Sequence, residues 1–216
     1  MDLAQQLWII LGGVPATLAI SILSLFFGLG LGLLLAYMRT YETDLDFLVD
    51  AYEKVFRGVP ELVLMLLFFF GVGAYLPFPF KNPFFTATFV LSLRSGANQS
   101  QIFRGAIRGV GEEQMVAARS LGLSRLQSIG RVITPQVFIY STPGLGSEYA
   151  LLIKDSAYAY VINVLEILAK TSQVVAATYD NVTPYIISAC LYILLTFPVA
   201  TWLDSWGTKR KKKMGL

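Results

Sequence analysis

Long apolar runs, separated by short polar segments, set the pattern of this chain. Residues 3–38, 62–80 and 181–203 carry almost no charge. Two further runs are interrupted by isolated charges, 82–103 by Arg94 alone and 132–165 by Glu148, Lys154 and Asp155. A helix needs roughly 20 mostly apolar residues to cross about 30 Å of hydrocarbon. The pattern therefore predicts an all-α integral membrane protein with about five transmembrane helices, the last two joined by a long segment. The leader "MDLAQQ" has an acid where a secretory signal would be basic, and the run behind it exceeds the roughly 7 to 15 residues of a signal's apolar core. The first span is expected to be a retained helix.

Between the third and fourth spans the pattern changes. Residues 112–136 read "EEQMVAARSLGLSRLQSIGRVITPQ". Glu112 and Glu113 stand where a helix N-terminus favours acids, and Gly122 stands where a C-terminal cap is expected. This predicts a short helix lying on the membrane surface. Ala117, Ala118 and Leu121 give it a small, smooth face with two possible uses: packing on the chain's own helix ends, or close approach by a partner's backbone.

Lysine and arginine decide orientation. Arg39, Lys54 and Arg57 follow the first span, Arg104, Arg108, Arg119, Arg125 and Arg131 surround the polar segment, and "KRKKK" occupies 209–213; the opposite side has Lys81 and Lys170. With an odd number of spans, the N-terminus is expected outside and the C-terminus in the cytoplasm. The basic tail follows "WLDSW" at a membrane edge, so it reads as an anchor to anionic membrane lipid and not as a nucleic-acid contact.

Composition agrees with a lipid environment, 55% hydrophobic against 14% charged. A lone Cys190 and the absence of histidine exclude a disulfide framework, a zinc site and histidine acid–base chemistry. No nucleophile–base set or metal set supports an embedded enzyme. Glycines 28, 30 and 32 are expected to permit close helix approach. Residues 76–80, "LPFPF", read as an outer turn, and 171–181 as a short outer helix or gate.

Ionised groups at membrane depth are costly unless they pair or reach water, so each is a candidate site residue. Arg94, Asn98 and Gln101 follow an i, i+4, i+7 spacing and share one helix face, as do Glu148 and Asp155, seven apart. One reading is a charge-balanced network in which Arg94 and Lys154 offset Glu148 and Asp155, with Lys154 as an ion-pair partner. The other is a substrate site for a zwitterion. Glu148, with Asp155, would meet the ammonium or a basic side chain, while Arg94, Asn98 and Gln101 would meet the carboxylate. An acidic substrate could use Arg94 instead.

The polar segment with its flank, "RGAIRGVGEEQMVAARSLGLSRLQSIGRVITPQ", resembles the EAA loop of ABC importer permeases: Ala117, Ala118, Gly122 and Pro135 match that pattern and its spacing. Upstream, "YEKVFRGVPELVLMLLFFFG" is similar to the second core helix of the polar amino acid branch, and "LLIKDSA" resembles its Lys-Asp-Thr-Ser motif. The resemblance runs from about Thr17 to the tail, and is greatest to permeases for histidine, lysine and arginine. Val116 replaces the signature glutamate, Glu113 a usual glycine, and Asn98 and Gln101 an aromatic and an acid.

The resemblance implies the ABC type I importer permease fold, with 1–216 as one transmembrane domain and 104–136 as a cytoplasmic coupling loop. Within that loop Glu113, Ala117, Ala118, Leu121 and Gly122 would engage an ATPase. It further implies a multi-pass protein of the prokaryotic plasma membrane, and as partners a second permease chain, identical or homologous, two ATP-binding cassette subunits and an extracytoplasmic substrate-binding protein. The substrate would be a polar amino acid, basic ones included. ATP and Mg would be bound by the partner ATPase, because this chain has no G-x-x-x-x-G-K-[ST] loop to cradle phosphates and is not itself an enzyme. The alternatives are a non-ABC structural or channel-like subunit, and an ABC permease for another small polar solute.

Overall fold

A computed structural model describes residues 1–41 and 44–213, and every regular element among them is helical. The first apolar run forms α1 (Leu3–Leu11) and α2 (Val14–Tyr41). Asp2 starts α1 with a reciprocal cap: its carboxylate accepts from the Gln5 N–H at 2.7 Å, and its own N–H donates to the Gln5 side chain at 3.3 Å. The run is jointed at Gly12–Gly13. A side chain at Gly13 would meet the Glu166–Ile167 backbone at 2.5 Å, so only glycine lets these segments touch.

α3 (Asp46–Gly58) is amphipathic and meets α4 (Glu61–Leu66) at a 100° bend. Pro60 explains the break, since it disfavours helical backbone at Val59. α4 continues through a π-helical stretch, Leu67–Val72, into α5 (Gly73–Tyr75), and α6 (Pro77–Phe80) forms the outer turn. α7 (Pro83–Val110) is unbroken, capped at its start by Asn82, whose side chain accepts from the Phe85 N–H.

The polar segment forms α8 (Glu112–Ser120) and α9 (Arg125–Ser128). Gly111 and Gly122 bracket α8 with φ of 81° and 83°, values that favour glycine. The expected start at the acids and stop at the glycine are both observed. A π-helical stretch, Ile129–Ile133, leads into α10 (Thr134–Asp155). The apolar run 132–165 is not one helix: after Asp155 it tightens into a 3₁₀ turn, Ser156–Ile162, and stops at left-handed Asn163. α11 (Ile167–Thr178) then precedes α12 (Thr183–Lys213).

Two helical runs among the described residues, Leu3–Tyr41 and Thr183–Lys213, are long and apolar enough to cross a membrane, or three if the bent pair Asp46–Gly58 with Glu61–Tyr75 is one span.

α2 packs along α7. Side chains on Gly28 and Gly32 would lie 2.8 Å and 2.7 Å from Gln99, whereas one on Gly30 would meet nothing within 4 Å. The expectation for three approach glycines is corrected to two, because alternate helix positions point to different sides. Lipid supplies no hydrophobic drive between helices, so packing and interhelical hydrogen bonds must hold the bundle. Ser24 donates to the Thr88 carbonyl and Gln99 to the Leu25 carbonyl across this seam. One apolar cluster joins Ile20, Met65, Leu91 and Leu152; another joins Ala36, Phe103 and Val137.

Candidate functional site

The polar residues of α7 form a comb with partners on two sides. Arg94 is gripped by two carboxylates: its Nη1 donates to Asp155 of α10 at 2.7 Å, and its Nε pairs with Glu61 of α4. One turn on, the Asn98 amide donates to Glu148 of α10 at 3.2 Å and its oxygen accepts from Arg57 of α3 at 3.2 Å. At Gln101 the amide donates to Glu53 of α3 at 2.6 Å.

The helical spacings thus bring Arg94 and Asn98 to Asp155 and Glu148. Gln101 points to the same stripe but meets α3 and not α10.

Glu53 is a hub that sequence reasoning missed. It is 2% exposed, and its carboxylate accepts from Ser100 at 2.7 Å and from Arg39 and Arg104 at 3.0 Å each, besides Gln101. A buried carboxylate stays charged at tolerable cost only when paired and hydrogen-bonded, and here two guanidiniums and two neutral donors do both. Glu61 and Arg57 were missed as well. Their signal was the four-residue spacing of Glu53, Arg57 and Glu61, which straddles Pro60 and so does not read as one helix face.

Lys154 is corrected. It is exposed and has no acid within ion-pair distance among the described residues; it lines a groove with Tyr192, Phe197 and Asp204. Adjacent positions diverge by about 100° on a helix, so Asp155 cannot face α7 together with Lys154. The local balance is Arg94 against Glu61 and Asp155. Among the described residues Glu148 has no ion-pair partner: it is 2% exposed, Asn98 holds one oxygen, and the other, Oε1, makes no well-aligned hydrogen bond although the Ser95 hydroxyl stands beside the carboxylate.

Glu166, also buried, has a structural explanation. It caps α11 by accepting the Leu168 and Ala169 N–H groups and takes a hydrogen bond from Tyr192, tying α11 to α12.

On α8 the expected small face divides. Ala118 is buried, whereas Glu113, Ala117 and Gly122 are exposed and Leu121 is 84% exposed. Successive residues 117 and 118 point apart, so Ala118 seats the helix on its own chain while Ala117 and Leu121 face outward with Val116.

The family model described as "Binding-protein-dependent transport system inner membrane component" matches residues 28–211. Among similar proteins, the L-cystine transport system permease protein TcyB of Bacillus subtilis is 35% identical over 200 residues, covering 91% of this chain and 85% of its own. The arginine transport system permease protein ArtQ of Bacillus subtilis is 32% identical, covering 96% and 94%. The nopaline transport system permease protein NocM of Agrobacterium fabrum is 30% identical, covering 88% and 83%. A crystal structure of an amino acid ABC transporter with histidines superposes with a TM-score of 0.82 at 27% identity, covering 97% of this chain and 99% of that one.

Proposed function

The chain belongs to the family of binding-protein-dependent transport system inner membrane components, and on that premise we propose that it is the permease subunit of an ATP-driven importer for a polar amino acid, basic ones included. Five segments cross the membrane: α1–α2, the bent pair ending at Tyr75, α7, α10 and α12. The clustering of Lys and Arg sets the N-terminus outside and the C-terminus in the cytoplasm. The whole chain serves as one transmembrane domain in a prokaryotic plasma membrane.

A second permease chain, identical or homologous, builds the path with it. Two ATP-binding cassette subunits bind ATP and Mg and perform the hydrolysis, and an extracytoplasmic binding protein delivers substrate. Residues 104–136 form the coupling loop, whose α8 sits in an ATPase groove. Glu113, Ala117 and Leu121 contact the groove, Ala118 seats α8 on its own chain, where the helix meets α9 and the π-helical stretch Ile129–Ile133, and Gly122 makes the turn that follows.

The substrate reading rests on Glu148, a buried carboxylate without an ion-pair partner and with one oxygen lacking a well-aligned hydrogen bond, next to the hydroxyl of Ser95, the amide of Asn98 and the guanidinium of Arg94. An amino acid's ammonium suits that oxygen. Its carboxylate suits Arg94, Asn98 and Gln101, and a basic side chain suits Asp155. Three acids around Arg94 and Asn98, against the cations Arg94 and Arg57, favour a ligand that brings positive charge. Arginine and cystine, which name two of the similar permeases, both carry ammonium and carboxylate groups.

The test is ATPase activity of the complex reconstituted in proteoliposomes with its binding protein, screened across the amino acids. Stimulation by a subset that includes a basic amino acid is the expected result. Stimulation only by a solute lacking an ammonium group would replace the amino acid assignment with that of another small polar solute.

A further inference from the structure

The inner partners of the α7 comb all come from one short stretch of chain. Glu53 holds Gln101, Arg57 holds Asn98 and Glu61 holds Arg94. Along the chain the partners ascend as 53, 57 and 61 while the α7 positions descend as 101, 98 and 94, so the corner between α3 and α4 lies antiparallel on α7 as a three-rung polar ladder. Tyr52 adds a hydrogen bond from its hydroxyl to the Leu93 carbonyl at 2.5 Å.

Two features distinguish this ladder from ordinary packing. Its rungs are polar or ionic, so a competing polar group can exchange with them at small net cost, unlike an apolar seam, where separation exposes surface with no compensation. It also straddles the 100° bend at Val59–Pro60, a point where the corner can pivot without unwinding a helix interior. The rungs differ in strength. Glu53 is fixed by donors from α2 and α7 and makes the firm end; Arg57 is exposed and holds Asn98 by a single hydrogen bond, making the loose one.

We propose that residues 53, 57 and 61 form a displaceable latch that closes the corner of α3 and α4 over the polar stripe of α7. This rests on the reading of the stripe as the substrate path. Passage of an amino acid requires release of the Arg57 and Glu61 rungs, with its cationic group replacing Arg94 at Glu61 and its carboxylate taking up the donors that are freed. Glu53 stays paired and anchors the fixed end. Arg57 and Glu61 are accordingly positioning residues of the path, set apart from the outer partners Glu148 and Asp155.

The test is thiol accessibility in the intact chain. In a Cys190→Ser background, Leu91→Cys introduces a thiol beneath the latch, on the stripe face of α7 one turn before Arg94, where the residue is fully buried in the cluster that Phe56 and Val59 of the corner pack against. Its rate of reaction with a small water-soluble maleimide, in membranes, reports opening. Loss of one rung through Arg57→Gln or Glu61→Gln should raise that rate about tenfold, the scale of one hydrogen bond to a charged group. Thermal stability should stay near the parent value in Arg57→Gln, since that side chain is exposed. Unchanged labelling in both variants would overturn the latch, even if the complex responds to amino acids as expected. Faster labelling in a complex that no amino acid stimulates would retain the latch and overturn the substrate reading. Faster labelling accompanied by an equal rise at a buried thiol remote from α3, at Thr171→Cys, would show general loosening of the bundle and would also overturn it.

Discussion

At Glu148 the absence of a cation partner turns a substitution into a clean experiment. Glu148→Gln keeps the shape and leaves an oxygen for the Asn98 amide, so the fold loses no ion pair. Binding of a substrate ammonium loses a charge-assisted hydrogen bond, roughly 1.5–3 kcal/mol, or about tenfold to a hundredfold in affinity. The expected outcome is a raised half-saturation for substrate-stimulated ATPase at an unchanged melting temperature. A lowered melting temperature with unchanged stimulation would identify Glu148 as a structural group. Lys154→Met should leave stability intact, because no acid among the described residues depends on it.

In the turn between α11 and α12, ahead of the charge-free run 181–203, Asp180 accepts the N–H groups of Val182 and Thr183, and hydrogen bonding with Thr183 holds its carboxyl below the usual range. A carboxyl depressed on folding stabilises above its unfolded pKa, and that contribution is lost as pH falls through the folded value. An Asp180→Asn variant should therefore lose less stability than the parent between neutral and acid pH, as read by thermal melts across that range. The helical period was enough to align Arg94 with Asn98 and Glu148 with Asp155 from the sequence. Which other helix would face each stripe was hidden, because period describes one helix at a time; Glu53 and Glu61 lay in segments whose tertiary neighbours no spacing reveals.

Among the elements, the α2–α7 seam tests the packing argument by contrast. Gly32→Leu forces the helices apart at a contact of 2.7 Å and should cost about 1–3 kcal/mol, whereas Gly30→Leu meets open space and should be tolerated. Thermal unfolding of the purified chain in detergent or nanodiscs separates the two; equal losses would mean that the seam does not set stability. Charge-free runs marked α2 and α12 directly, because hydropathy measures the solvent a segment prefers. It does not measure helical continuity. The run 132–165 is apolar past Asp155, yet Asn163 in left-handed conformation ends the turn that follows, and Pro60 breaks the second segment where hydropathy only rises.

For the whole molecule, the proposed coupling role of α8 puts the junction between the membrane bundle and an ATPase partner to the test. Gly122 adopts φ of 83°, so Gly122→Val imposes strain of roughly 1–3 kcal/mol at the exit of α8 and tips its outward face. The chain should still reach the membrane, while co-purification of the ATPase and substrate-stimulated hydrolysis both fall. Normal coupling in this variant would remove α8 from the docking role. A further consequence follows from α7 being unbroken from Pro83 to Val110 with only Gly111 before α8. From Arg94 to Val110 it spans about 24 Å at roughly 1.5 Å per residue, so a tilt of about 10° with Arg94 as fulcrum sweeps the far end by about 4 Å. α7 is a lever with no joint in its arm: a stroke delivered to α8 becomes a rotation about Arg94 that shrinks to about 2 Å at Gln101, and a ligand that braces the stripe stiffens the handle.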